Sequence, residues 1–324
     1  PPAGDWRNRL LLVADDANLP DYSEPYSRET YHTEKSEDVA EVLLPRALDL
    51  VKIYGVDYDF PPGSNIKSAA QRDIQAALDE GVTVFYYVGH GSEDNLGDEQ
   101  YFRSADIGNL ANGARRPLFV AFSCDVGVYD SFLARSMAEQ FMASGAGGAM
   151  MSICASQVSF VRENEIFTDD FFEALYPGAE LADHRDIGAS LLAAKGAAST
   201  IWQRNNSQRY NILGEPAARF PHPVHDLAFH ATSLVTMWPG LLQRAVLDGS
   251  AQAPLLGAGD GWDLRVEESA RESFYTTWSR CSVMLPDSSW VNVACDPREN
   301  SWVERGAAAF RLSLIHISEP TRPP

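Results

Sequence analysis

The sequence predicts an α/β fold: a mainly parallel sheet with helices on both faces, followed by a small antiparallel β domain. Short β-branched and aromatic runs alternate with stretches of helical period: LLLVA (10–14), VTVFYYV (82–88), PLFVAFS (117–123) and GGAMMSIC (147–154). Strands spaced by helices imply βαβ units and a parallel sheet buried on both faces. Beyond residue 223 that alternation stops, and the charge density changes with it. Residues 1–223 carry 18 basic and 33 acidic side chains, net −15, whereas 224–324 carry 8 and 12, net −4.

The first run, LLLVA, is continuously apolar and stops at Asp15-Asp16. Ser36–Leu44 reads as a helix, with Ser36 as its cap and Pro45 as its break. In SAAQRDIQAALDEG (68–81), Ile74, Ala77 and Leu78 share one helical face and Gly81 ends the helix. VTVFYYV and PLFVAFS are buried strands by composition. Residues 131–144, 164–175 and 186–203 have helical period, and GGAMMSIC supplies another central strand.

The Pro-rich joint PHPVHD (221–226) divides the chain into domains 1–223 and 224–312. The second contains DLAFHATSLVTM, GWDLRVEES, SFYTTWS and WVNVAC, short β-forming runs separated by Gly, Pro, Asp and Ser. That pattern predicts a small antiparallel sandwich, with AAAFRLS (307–313) as a last strand.

The chain has 324 residues, 45% of them hydrophobic, an ordinary globular share that excludes extended disorder. A net charge of −19 argues against nucleic acid as a partner, because a polyanion is repelled. No run of about 18 apolar residues exists to span a membrane. The chain starts Pro1-Pro2 without Met and reads as an internal piece of a longer protein. Its end, LSLIHISEPTRPP, resembles translated sequencing-adapter read-through, so 313–324 is expected to be a non-native tail.

Four cysteines, Cys124, Cys154, Cys281 and Cys295, are too few for a disulfide scaffold. In an oxidising compartment Cys281 and Cys295 would close a short loop, contributing about 3 kcal/mol on the chain-entropy model; otherwise they stay free. Cys154 ends a strand with no matching His and reads as core or pocket wall.

Two positions carry the chemistry. VTVFYYV runs into Gly89-His90-Gly91-Ser92, and PLFVAFS runs into Cys124-Asp125. Both fall where a parallel strand ends, the edge at which open α/β sheets collect ligands and catalytic groups. With one crossover between them, the two strands are expected to be neighbours. A thiol is mostly protonated at neutral pH and needs a nearby imidazole to become a nucleophile. Cys124 is therefore the expected nucleophile and His90 the general acid and base. The amides of Gly91 and Cys124 would form the oxyanion hole. Gly89, Glu93 and Asp125 are the candidate substrate contacts.

Seven acids lie between residues 89 and 131: Glu93, Asp94, Asp98, Glu99, Asp106, Asp125 and Asp130, opposed by Arg103, Arg115 and Arg116. They form either a solvated rim, an attractor for a basic substrate residue, or a set of Ca²⁺ ligands. Asp15, Asp16 and Asp21 form a second candidate cation loop, without EF-hand spacing. Ca²⁺ is thus the one cofactor suggested, and Cys–His chemistry requires none. No GxGxxG or Walker A phrase follows the first strand, which counts against a nucleotide enzyme.

YYVGHGSED (86–94) followed by RRPLFVAFSCDVGVYD (115–130) resembles the gingipain-type cysteine peptidases, which share the caspase-like αβα sandwich. Within that family the likeness is strongest to the sortase of the type IX secretion pathway. The opening LLLVADD resembles the family's first strand. Ile212-Leu213-Gly214-Glu215-Pro216 resembles its closing Leu-Gly-Asp-Pro phrase, with Glu where Asp is usual. Ser123 stands where Ala often precedes the cysteine.

The resemblance covers about residues 7–223 and matches His90 to the catalytic histidine and Cys124 to the nucleophile. It implies an endopeptidase or transpeptidase acting on protein or peptide substrates. It also implies a secreted or outer-membrane surface location in a bacterium, contact with secretion-system components, and an immunoglobulin-like domain after the catalytic one. The alternative is a catalytically silent scaffold or binding protein with the same fold.

Overall fold

The computed structural model describes residues 5–16, 29–45, 48–132, 134–179, 185–220 and 222, and the backbone of six later strands between 226 and 314. The strands and helices of the first 220 residues are β1 (Arg9–Ala14), α1 (Tyr31–Asp38), β2 (Asp49–Tyr54), α2 (Ser68–Glu80), β3 (Val84–Val88), β4 (Asn95–Leu96), β5 (Phe102–Arg103), β6 (Leu118–Phe122), α3 (Met137–Ala143), β7 (Met151–Ala155), α4 (Val161–Leu175), α5 (Ile187–Ala197), α6 (Ile201–Ser207) and β8 (Tyr210–Leu213). Six strands form one sheet in the order β2-β1-β3-β6-β7-β8. The β1–β3, β3–β6 and β6–β7 pairs are parallel, and β7–β8 is antiparallel. This is the mainly parallel α/β sheet expected.

The inner strands are buried at every position, which is why they read as continuous apolar runs rather than alternating ones. Alternation along each strand sends side chains to opposite faces. Phe85 and Phe119, register partners, pack with Phe141 of α3, and Phe102 joins them. On the other face Tyr86 meets Phe172 of α4, while Phe122 meets Phe167 and Phe171. Two aromatic clusters therefore clamp the sheet between helices.

Four elements differ from the sequence reading. The first helix begins at Tyr31 rather than Ser36, and a π-helical turn at Val39–Leu43 completes it before Pro45. Its buried residues include His32, Thr33, Lys35 and Ser36, so no apolar period marks it. Strand β2 stands at the sheet edge and went unread. The 186–203 helix is two helices, because Thr200 caps a new one through the Gln203 amide. Likewise α3 starts only after Ser136, which forms a capping box with Glu139.

The crossover from β3 to β6 holds the two-stranded β4–β5 ladder and a 3₁₀ turn at Ser104–Asn109 rather than an α-helix.

The later strands form a separate antiparallel set: β9 (Asp226–Met237), β10 (Leu242–Ala251), β11 (Ala258–Glu268), β12 (Ser279–Met284), β13 (Trp290–Ala294) and β14 (Ala309–Leu314). Their order, β10-β11-β12-β13-β14-β9, closes into a barrel where the sequence suggested a sandwich. Both architectures need the same short β-forming runs, so periodicity does not separate them. The chain divides into two compact units; Leu10–Leu44 and Ile53–Phe220 form the one that carries the site. Among the described residues no helix is long and apolar enough to cross a membrane. Asp21, Cys295 and residues 315–324 lie outside the described residues, as does the side chain of Cys281.

Candidate active site

The register of the sheet aligns the two strand ends. Val88, the last residue of β3, pairs with Phe122, the last of β6. His90 and Cys124 each stand two residues beyond those partners, so they emerge at the same level of adjacent strands. Both line a cleft of about 190 Å³, together with His32, Gly89, Gly91, Asp98, Ser159 and Val161.

On the histidine side, β1 supplies the partner. Ala14 pairs with Val88, and the Asp15 amide donates to the Val88 carbonyl at 3.0 Å. Asp15 is thereby carried alongside Gly89 and His90. Its Oδ2 accepts from the His90 backbone amide at 2.8 Å and lies 2.8 Å from His90 Nδ1. Asp15 is fully buried, while the His90 side chain keeps 34% exposure. The hydrogen bond to Asp15 raises the His90 pKa above the usual histidine value, against the opposing effect of burial. Nδ1 thus holds its proton toward Asp15, leaving Nε2 for chemistry.

Gly89 allows this approach: a Cβ there would lie 2.2 Å from Asp15 Cβ and 2.7 Å from the Tyr87 hydroxyl. Tyr87 Oη in turn donates to the His90 carbonyl at 2.5 Å.

On the cysteine side, the chain turns sharply after β6. Asp125 takes a left-handed φ of 58°, an uncommon conformation for a non-glycine residue that swings the chain away from the strand direction. Cys124 is half-buried. Its Sγ accepts from the Ser159 amide at 3.3 Å and lies 3.4 Å from the Ser159 carbonyl, to which the thiol donates. Gly91 packs on this turn, since a Cβ there would sit 2.3 Å from Ser123 Oγ and 3.2 Å from the Cys124 carbonyl. The two loops proposed to shape an oxyanion hole are therefore in contact.

The remaining sequence candidates scatter. Asp98 is exposed and lines the cleft, whereas Glu93 is exposed and its carbonyl accepts from the Met137 amide at the start of α3. Burial raises the Asp125 carboxyl pKa, and the Arg209 charge works against that shift. Asp106 is paired with Arg103 at 2.9 Å. Asp16 is buried and bonded to Lys67 and the Tyr101 hydroxyl.

Sequence reasoning missed three residues. Asp15 was read only as a cation ligand, although its place at the end of a strand beside β3 was the signal for a histidine partner. His32 packs edge-on against the His90 ring, with centroids 5.7 Å apart, and burial lowers its pKa to about 4. It sits in a polar helix with no periodic mark. Ser159 lies in the loop after β7, where nothing local distinguishes it.

A solved structure shares this architecture. The crystal structure of the Arg-specific cysteine proteinase gingipain R (RgpB) aligns with a TM-score of 0.53 at 15% identity, over 96% of this chain and 62% of that one. A complex of Porphyromonas gingivalis RgpB pro- and mature domains aligns at 13% identity with a TM-score of 0.45, over 96% and 63% respectively. The chain thus spans somewhat less than two thirds of the proteins it resembles. Among curated proteins no sequence match is found. The family model for Peptidase family C25 matches residues 1–221, the whole region that builds the cleft, and the chain belongs to that family.

Proposed function

We propose that the chain is a cysteine peptidase in which Cys124 attacks a peptide carbonyl, His90 carries the proton and Asp15 orients the imidazole. One observation carries this reading. His90 and Cys124 follow register-matched strand ends and line one cleft, and the far nitrogen of His90 is held by a buried carboxylate. His90 accepts the thiol proton through Nε2 and delivers it to the leaving amine. Asp15 fixes the tautomer and stabilises the imidazolium that forms in between. The amides of Gly91 and Cys124 receive the oxyanion, each donor contributing about 3–4 kcal/mol to the transition state.

Several finer features belong to the same proposal. Asp98 in the cleft and the acidic excess of the domain favour a basic residue before the scissile bond, in line with the Arg specificity stated for gingipain R. The acyl-enzyme is resolved by water in a peptidase or by an amine in a sortase-like transpeptidase. The substrates are secreted or surface proteins, met alongside secretion-system components, and residues 224–312 serve as a companion β domain. A peptide-library cleavage profile, with Cys124→Ala as control and an added amine nucleophile as a second arm, tests the assignment, the preference for a basic residue and the fate of the acyl-enzyme. Equal cleavage by the parent and the variant would remove the assignment and leave the scaffold alternative.

A further inference from the structure

A buried polar network backs the cleft wall behind Cys124. Ser159 touches the sulfur, and Asn164 of α4, Asn206 of α6 and Tyr210 of β8 lie behind it. All four are buried, Asn206 and Tyr210 completely. Burying carboxamides is costly unless they are paired, and here the pairing has one possible direction. The Phe160 amide can only donate, and it donates to Asn206 Oδ1 at 3.0 Å. The Asn206 side-chain nitrogen therefore faces Asn164 and donates to its Oδ1 at 2.8 Å. Tyr210, whose phenol burial keeps protonated, donates to the same oxygen at 2.7 Å. Asn164 is left with its nitrogen for Ser159, and it donates to Oγ at 2.8 Å. Ser159 Oγ is thus an acceptor on that side, and its one proton is left for Cys124 Sγ, 3.7 Å away. The Tyr210 oxygen at 3.5 Å competes for that proton only as a neutral acceptor, whereas a thiolate carries a full charge.

Ser159 can serve both forms of the sulfur. As a thiol, Cys124 donates to the Ser159 carbonyl at 3.4 Å. Once the proton has passed to His90 Nε2, the sulfur keeps the electron pair and needs donors instead. The Ser159 amide at 3.3 Å and the Ser159 hydroxyl supply two. We propose that Ser159 is a catalytic residue that stabilises the Cys124 thiolate, and that Asn164 and Asn206 are positioning residues that dictate the direction of its hydroxyl. This role rests on the reading of Cys124 as the nucleophile. No bond in Ser159 breaks: its hydroxyl turns toward the sulfur and is released when the sulfur's electron pair enters the bond to the substrate carbonyl carbon.

The test follows the sulfur itself, through the rate at which iodoacetamide alkylates Cys124 at neutral pH, read from its peptide by mass spectrometry. Ser159→Ala should lose about tenfold of the thiolate, partly offset by the greater nucleophilicity of a more basic sulfur, so alkylation should slow about threefold. The same variant should lower kcat by about tenfold with KM unchanged, because the lost contact is to the sulfur, and its Tm should stay near the parent's. Ser159→Thr keeps the hydroxyl and should restore both rates. Asn164→Asp keeps the shape but only accepts, so it draws the Ser159 proton away from the sulfur. It should slow alkylation as far as Ser159→Ala does, and add less than about twofold in the Ser159→Ala background. Alkylation of Ser159→Ala at the parent's rate, or no recovery in Ser159→Thr, would overturn the role of Ser159 while the peptidase reading stands. Full additivity of the two substitutions would overturn positioning through Asn164. Cleavage that survives Cys124→Ala would remove the peptidase reading, and this role with it.

Discussion

Cys124 and Cys154 belong to neighbouring parallel chain segments, but one lies past the end of its strand and the other within it. Cys154 lies within β7, paired in register with Ala121 and Asn211 on either side. It is 2% exposed, and burial pushes its thiol pKa well above the usual value. Cys124 stands beyond the end of β6, half-buried in the cleft wall, with Ser159 around its sulfur. The two are also layered, since a Cβ on Gly127, in the turn after Cys124, would meet Cys154 Cβ at 2.8 Å. A thiol inside the ladder is packing material; two residues past the ladder it lines a cleft that His90 also lines.

The largest effect expected from breaking this contrast is on turnover. Cys124→Ala should lower kcat/KM for peptide cleavage by about 10⁴-fold or more. Cys154→Ala should leave it within about twofold while costing roughly 1 kcal/mol of stability. Mass spectrometry after iodoacetamide treatment of the folded chain should find Cys124 alkylated, and Cys154 only after denaturation. Alkylation of both at equal rates would erase the distinction.

Asp15→Asn tests the histidine side of the cleft. It should cost about 10³-fold in kcat and shift the pH profile. The hydrogen bond to Asp15 raises the pH to which His90 retains its proton. Without that carboxylate the alkaline limb of kcat/KM should therefore move to lower pH. A profile that keeps its alkaline limb in the variant would detach Asp15 from the imidazole.

Gly89→Ala tests the packing that lets Asp15 approach. The new methyl overlaps the Asp15 side chain, and unfolding curves should show a loss of about 1–3 kcal/mol, accompanied by lower activity.

The last effect is absent at neutral pH and appears only in acid. His32 is neutral in the fold, its pKa lowered from 6.5 to about 4 chiefly by burial. A depressed histidine pKa means the unfolded chain binds the proton more readily. Stability should therefore fall as pH drops from about 6.5 toward 4, by up to about 3 kcal/mol. His32→Gln should flatten that slope, as read from chemical denaturation at several pH values.

The central strands were legible because burial on both faces leaves continuous apolar runs. LLLVA, VTVFYYV and PLFVAFS could therefore be placed, and the two site residues followed from where the runs stop. What stayed hidden depended on long-range contact. The α1 helix buries polar side chains, with Lys35 on Asp169 and Tyr54 on Glu37, so hydrophobic period misplaced its start. Ser159 acquires its role only when the loop after β7 folds over Cys124. Asp15 was noticed, but a pair of adjacent aspartates reads as one cation loop until the sheet separates them. One then faces a histidine and the other a lysine.

The distances along the chain between contacting groups have a practical consequence. Asp15 and His90 are 75 residues apart, and Cys124 and Ser159 are 35 apart. No contiguous fragment shorter than most of the sheet can bring the four together. A count of active centres, obtained by titrating the chain with a thiol-directed peptide reagent, would therefore also count correctly folded molecules. It would serve as an assay of refolding yield that tolerates misfolded material in the same tube.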